Sequence, residues 1–176
     1  RRLDGKGNLE EDYHMAMNRP SLTRLKQVFM ESFSVSDIAE PLASFDANAS
    51  AAEVRGFMQE RDYEAVGTRV DGVVAGYVKR EELGRGPCGD CLHPFEAAEV
   101  VPDSCSIPDT VVQLNAMPRL FVTAFGQIGG IVTRTDLQKP PVRMWLFGVI
   151  TIVEMGLTRM IQDHFADGSW KKFVSA

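Results

Sequence analysis

Disulfides are the first thing this sequence is short of: Cys88, Cys91 and Cys105 are its three cysteines, too few and too odd a number to frame a fold of 176 residues. Its stability must come from a packed apolar core, and a reducing compartment, the cytoplasm, is the default expectation. Positive charge is also scarce. Lys and Arg total 19 against 24 Asp and Glu, so the formal charge is −5 and no field is available to draw in a phosphate backbone. Nucleic acid is not an expected partner. Catalytic signatures are missing too: there is no Gly-x-Ser-x-Gly elbow, no Walker loop and no His-Glu-x-x-His, and His14, His93 and His164 are scattered. A non-enzymatic role is expected, with no catalytic residues and no catalytic cofactor. The start carries no charged n-region followed by an apolar h-region. Arg1 in place of a methionine, and the tail from Gly168 to Phe173, read as parts of a longer chain. Long apolar runs are lacking as well. The longest, Met144 to Val153 between Arg143 and Glu154, covers at about 1.5 Å per residue roughly half of a bilayer core. It predicts a buried helix and no membrane span.

What is present is an ordinary globular composition, 44% hydrophobic and 24% charged, enough for one sizeable core or two small ones. It also contains a repeat. The stretch Gly126-Gln-Ile-Gly-Gly-Ile-Val-Thr-Arg-Thr-Asp-Leu137 echoes Gly72-Val-Val-Ala-Gly-Tyr-Val-Lys-Arg-Glu-Glu-Leu83 at an offset of 54 residues. Upstream, Val100 to Ser106 matches Ser44 to Ser50 at an offset of 56. Both of these segments end in a serine set to start a helix. Ser50 with Glu53 forms a capping-box pattern, and Val54, Phe57 and Met58 share a face. Ser106 is followed by Pro108 and Asp109, with Ile107, Val111 and Leu114 as the apolar face, and Pro118 ends the second helix near Met117. Strands are predicted over residues 64–70 and 119–125, each leading into a tight turn, Asp71-Gly72 or Gly126, and a second strand.

The order of elements, the paired halves and above all Gly130-Ile-Val-Thr-Arg-Thr-Asp136 resemble a tandem pair of cystathionine-β-synthase (CBS) domains over about residues 35–140. The resemblance implies an α+β fold, two β-α-β-β-α repeats in a pseudo-twofold pair with flanking N- and C-terminal helices. The expected layout is an N-terminal helical extension over 1–34, a first repeat over 35–86, a linker over 87–98, a second repeat over 99–140, and a C-terminal helix and tail over 141–176. It further implies a regulatory, signal-transducing module whose clefts hold an adenosine nucleotide, AMP, ADP or ATP, and which pairs as a homodimer.

The polar exit of the second hairpin carries chemistry of its own. A carboxylate beyond a strand end accepts hydrogen bonds from two neighbouring hydroxyls, which suits Asp136 to a ribose, with Thr133 beside it and Arg134 offering a fork for phosphate. The family resemblance gives the same roles and places the base near Val101 and Leu120, so that Thr133, Arg134, Asp136, Val101, Ser104, Arg119 and Leu120 form the expected ligand-binding set. Thr133 and Asp136 also satisfy a helix-capping pattern, and both roles are compatible. In the first half Lys79 and Glu82 stand at these positions. Lysine cannot accept a ribose hydroxyl's hydrogen, so one nucleotide site per chain is expected, at the second exit.

Cys88-x-x-Cys91 with His93, and Cys105 downstream, supply enough soft ligands for one zinc ion, but the spacing lacks a second close pair. A redox pair and a plain linker are the other readings. The C-terminal helix, expected from Val142 to about Gln162, is apolar on nearly every face and needs partners, either from Leu22, Leu25, Val28 and Phe29 after Ser21 or from a second copy of the chain.

Overall fold

The computed structural model describes residues 22–165. The chain divides into two compact units, one spanning 33–142 and the other combining 22–32 with 143 onward. The expectations placed on residues 1–21, His14 and Ser21 among them, and on the tail from 166 to 176 fall outside the described residues.

The 33–142 unit is α+β, built of two four-stranded sheets. In chain order it contains β1 (Glu40–Pro41), β2 (Ser44–Asp46), helix α2 (Ala51–Glu60), β3 (Ala65–Val70), β4 (Val73–Lys79), β5 (His93–Pro94), β6 (Val100–Pro102), helix α3 (Ile107–Ala116), β7 (Arg119–Ala124) and β8 (Gln127–Thr133). Helix α1 (Leu22–Glu31) precedes it and α4 (Pro140–His164) follows. The repeat seen in sequence holds at the level of register. Ser44 pairs in parallel with Gly67 as Val100 does with Phe121, and Gly76 lies opposite Thr68 as Gly130 does opposite Val122. Both hairpins carry the same irregularity, after Thr68 in one and after Val122 in the other. Their turns also match: Asp71 and Gly72 have φ of 52° and 81°, Phe125 and Gly126 53° and 77°. Positive φ at both central residues gives the twist that a two-residue hairpin needs.

Sheet membership does not follow the repeats. The orders are β1-β8-β7-β6 and β2-β3-β4-β5. β1, from the start of the first repeat, completes the second repeat's sheet, and β5, within the expected linker, completes the first. Ala51, Val54 and Met58 of α2 pack with Val66, Val78, Leu83 and Cys88 in one core cluster. Between the sheets lies an aromatic cluster in which the Phe121 ring stands 4.7 Å from Tyr77 and 4.6 Å from Phe95.

The capping expectations divide. Ser106 accepts a hydrogen bond from the Asp109 amide at 3.2 Å, and α3 ends at Ala116 with Met117 as its C-cap before Pro118. Ser50, in contrast, makes no side-chain cap. The Gly86 carbonyl accepts the Ala51 N–H at 2.9 Å, so a distant segment serves the helix start.

α4 departs most from expectation. Pro140 and Pro141 occupy its first turn, and the helix runs 25 residues, two beyond the expected Val142 and Gln162 at each end. By length and composition it is long enough to cross a membrane, and almost none of it is buried. A composition apolar all round signals a need for partners, and within the unit α1 supplies one, its Phe29 ring sitting where a Cβ on Gly148 would be. Leu146, Ile150, Val153, Leu157 and Met160 remain exposed. Their alternating spacing of four and three residues is that of a coiled-coil seam.

Candidate ligand cleft

β8 stops at Thr133 because the next residues close a 3-10 turn, Arg134–Gln138, capped by the box that Thr133 and Asp136 form. Asp136 Oδ2 accepts the Thr133 N–H at 2.7 Å and the Thr133 hydroxyl at 3.0 Å. Its Oδ1 lies 2.8 Å from Lys139 Nζ, which also reaches Glu40 at 3.1 Å and donates to the Ile38 carbonyl at 2.7 Å. The Asp136 side chain is 10% exposed, so this carboxylate is set and oriented from both sides. Burial pulls the Lys139 ammonium towards a lower pKa, but its bonds to Asp136 and Glu40 outweigh that and leave it above the usual lysine value.

These groups face a cleft of about 760 Å³. One wall is Glu40 to Ala43, held against the second repeat because Glu40 and Pro41 pair with Ile131 and Gly130. Opposite lie residues 61–65 with Pro118 and Arg119, and residues 133–136 with Lys139 close the end. Pro41, Leu42, Ile131 and Pro118 give the cleft an apolar surface, and Thr133 and Asp136 stand at its polar end.

Of the seven ligand contacts expected from sequence, the structure brings four to this cleft: Thr133, Arg134, Asp136 and Arg119. Val101 and Leu120 are buried in the interior and Ser104 lies in the turn before α3; none of the three lines the cleft. Arg134 has other work. Its Nε donates to the Leu114 carbonyl at 2.7 Å and its Nη2 to that of Asn115 at 3.2 Å, satisfying the last carbonyls of α3. Arg119 is held 3.6 Å from Glu64 and lies over the Tyr77 ring. The wall from Glu40 to Ala43 was not anticipated. The repeat carries no signal for it, since Pro41 lies three residues before β2 and the proline of β5, Pro94, six before β6.

At the first half's matching exit the acidic residue, Glu82, is engaged by the chain itself. β5 passes so close to β4 that a Cβ on Gly76 would collide with the His93 carbonyl. Glu82 Oε1 accepts from Lys79 at 3.0 Å, and Oε2 meets His93 Nε2. The His93 contact, then that of Lys79, holds the Glu82 carboxyl below its ordinary value. The candidate metal ligands do not converge. Cys88 is buried with its thiol 3.3 Å from the Asp46 carbonyl, Cys91 lies 3.2 Å from that of Glu82, and Cys105 sits beside Thr110 on the other repeat. Among the described residues no three His, Cys, Asp or Glu side chains form a metal cluster. Burial pushes the Cys88 thiol up, away from the reactive thiolate that redox chemistry uses.

Comparison with solved structures places this architecture. A hemolysin-like protein containing a CBS domain from Oenococcus oeni PSU matches 67% of this chain and 96% of its own, at 16% identity and a TM-score of 0.50. CBSX2 in complex with AMP matches 64% and 98%, at 20% identity and a TM-score of 0.53. The fold is that of a CBS-domain pair. The CBS domain of a bacterial CNNM/CorC family Mg2+ transporter, in complex with ATP, matches 66% of this chain and 91% of its own, at 17% identity and a TM-score of 0.50. Neither a protein-family model nor a curated protein matches the sequence significantly. At 16–20% identity the likeness is one of fold.

Proposed function

We propose that this CBS pair is a non-catalytic regulatory module that binds an adenosine nucleotide in the cleft closed by Thr133 and Asp136. The supporting observation is the meeting, in one cleft, of a capped and positioned carboxylate with an apolar wall contributed by the other repeat. Asp136 would accept the ribose hydroxyls and Pro41, Leu42 and Ile131 would bound the base. Two of the matched structures hold AMP or ATP, which fits the same ligand class. Such a ligand acts by binding one arrangement of the module better than another. The first half, with Glu82 engaged by Lys79 and His93, leaves one site per chain.

A thermal-shift titration with AMP, ADP and ATP tests this. At about a hundred times the Kd the stabilisation is about 2.7 kcal/mol, a rise of several degrees in Tm. A specific observation favours the competing reading, an assembly module with an empty cleft: both Asp136 oxygens are already engaged by Thr133 and Lys139. On that reading no adenine nucleotide moves the Tm.

We also propose that the module pairs with a second copy through the α4 seam. Antiparallel pairing would set the Arg143 end of one helix against the Asp163 end of the other, with apolar rows between them. Glu154 interrupts the apolar face midway, which suits a helix pair in water better than a bilayer centre. Light scattering should give a dimer for the wild type and a monomer for Ile150→Asp/Leu157→Asp. A double variant that stays dimeric removes α4 from the interface.

A further inference from the structure

A second groove, of about 490 Å³, adjoins the cleft and shares Glu64 and Arg119 with it. Its other lining is Arg55 and Gln59 of α2 and Lys79, Arg80 and Glu81 at the exit of β4. Four cations thus face two carboxylates, a local positive excess in a chain whose net charge is −5. The lining has no apolar wall, so a purine finds no surface there and an anion does. The acids that pair with these cations are easily displaced. Lys79 is held by Glu82 at 3.0 Å, Arg80 by Asp62 at 3.1 Å and Arg119 by Glu64 at 3.6 Å, and Asp62 and Glu64 are 95% and 73% exposed. Exposed pairs of this kind contribute little, so a phosphate oxygen replaces them at small cost. Arg119 itself is 11% exposed, which makes it a placed cation where the two hollows meet. Arg134, the phosphate contact expected from sequence, is engaged with the carbonyls of α3.

We propose that this groove seats the distal phosphates of a nucleotide whose nucleoside end lies in the Thr133–Asp136 cleft, so that the chain selects ATP and ADP over AMP. The inference rests on the nucleotide reading of that cleft and adds the basis for choosing among nucleotides. Lys79, which makes the first repeat unfit for a ribose, and its neighbour Arg80 become the specificity-determining residues for the second repeat's ligand. The preference is electrostatic and shrinks as salt rises.

Titration calorimetry on the full chain with AMP, ADP and ATP, and with inorganic tripolyphosphate as competitor, decides it. The wild type should bind ATP about tenfold or more tighter than AMP, and tripolyphosphate should displace ATP while leaving AMP bound. Lys79→Gln/Arg80→Gln, whose side chains are partly exposed and whose fold circular dichroism checks, should bring ATP down to the affinity of AMP and leave AMP within about twofold. Equal wild-type affinities, or an equal loss for AMP and ATP in the double variant, overturn the groove while AMP binding keeps the cleft. Binding of none of the three nucleotides overturns both.

Discussion

Phe121→Ala is expected to destabilise the 33–142 unit by about 3–5 kcal/mol, a large part of the stability of a domain this size. Phe121 has no exposed surface and sits on β7, in the middle of the second sheet. Its ring meets Tyr77 from the first sheet and Phe95 from the segment that follows β5, with Ala65, Leu42, Ile128 and Ile131 packed around. Removing it opens a void bounded by two sheets. Neither can collapse into that void without disturbing its own ladder, which puts the loss near the upper part of the range for aromatic truncations. Urea denaturation monitored by circular dichroism measures it. A loss under about 1 kcal/mol would mean that the sheets repack independently and that the aromatic cluster is not their main contact.

Asp136→Ala is expected to weaken nucleotide binding by about a hundredfold or more. Two hydrogen bonds to a carboxylate, each contributing about 1.5–3 kcal/mol, would be lost at once. The fold should survive, since the variant gives up the acceptor for the Thr133 amide, at about 1 kcal/mol for a cap, and leaves Lys139 with Glu40 and the Ile38 carbonyl. Lys139→Met tests the same geometry from the other side. It frees the Asp136 oxygen that the ammonium holds, so affinity should rise several-fold while Tm falls in the absence of ligand. Calorimetry on both variants reads these effects. Wild-type affinity in Asp136→Ala would remove the ribose contact, whatever Lys139→Met does.

Much of the fold was legible because the repeat is written in local signals. Asp71-Gly72 and Gly126 announce hairpins, and the offset of 54 between Gly72 and Gly126 reappears between Gly76 and Gly130 in the ladders. What escaped depends on distant partners. β1 and β5 are two residues long, so neither has a periodicity, and they are strands only because β8 and β4 lie beside them. The capping pattern at Ser50 was real as a pattern, but Gly86 arrives first. Val101 and Leu120 read correctly as apolar strand residues, yet sequence cannot say which face meets a ligand and which the core. Arg134 turns to α3 for the same reason: the open carbonyls of Leu114 and Asn115 lie nearly twenty residues back in the chain. The apolar run in α4 signalled a demand for cover without saying whether this chain would meet it.

The short outer strands have a consequence for solubility. A sheet's outermost strand presents unpaired amides that can recruit a foreign strand, and proline removes the donor needed to continue the ladder. In the second sheet the outer strands are β1, with Pro41, and β6, with Pro102; in the first they are β2 and β5, the latter with Pro94. Each is only two or three residues long. Three of the four borders are thus terminated chemically as well as by length, and the sheets offer little template for growth into a fibril.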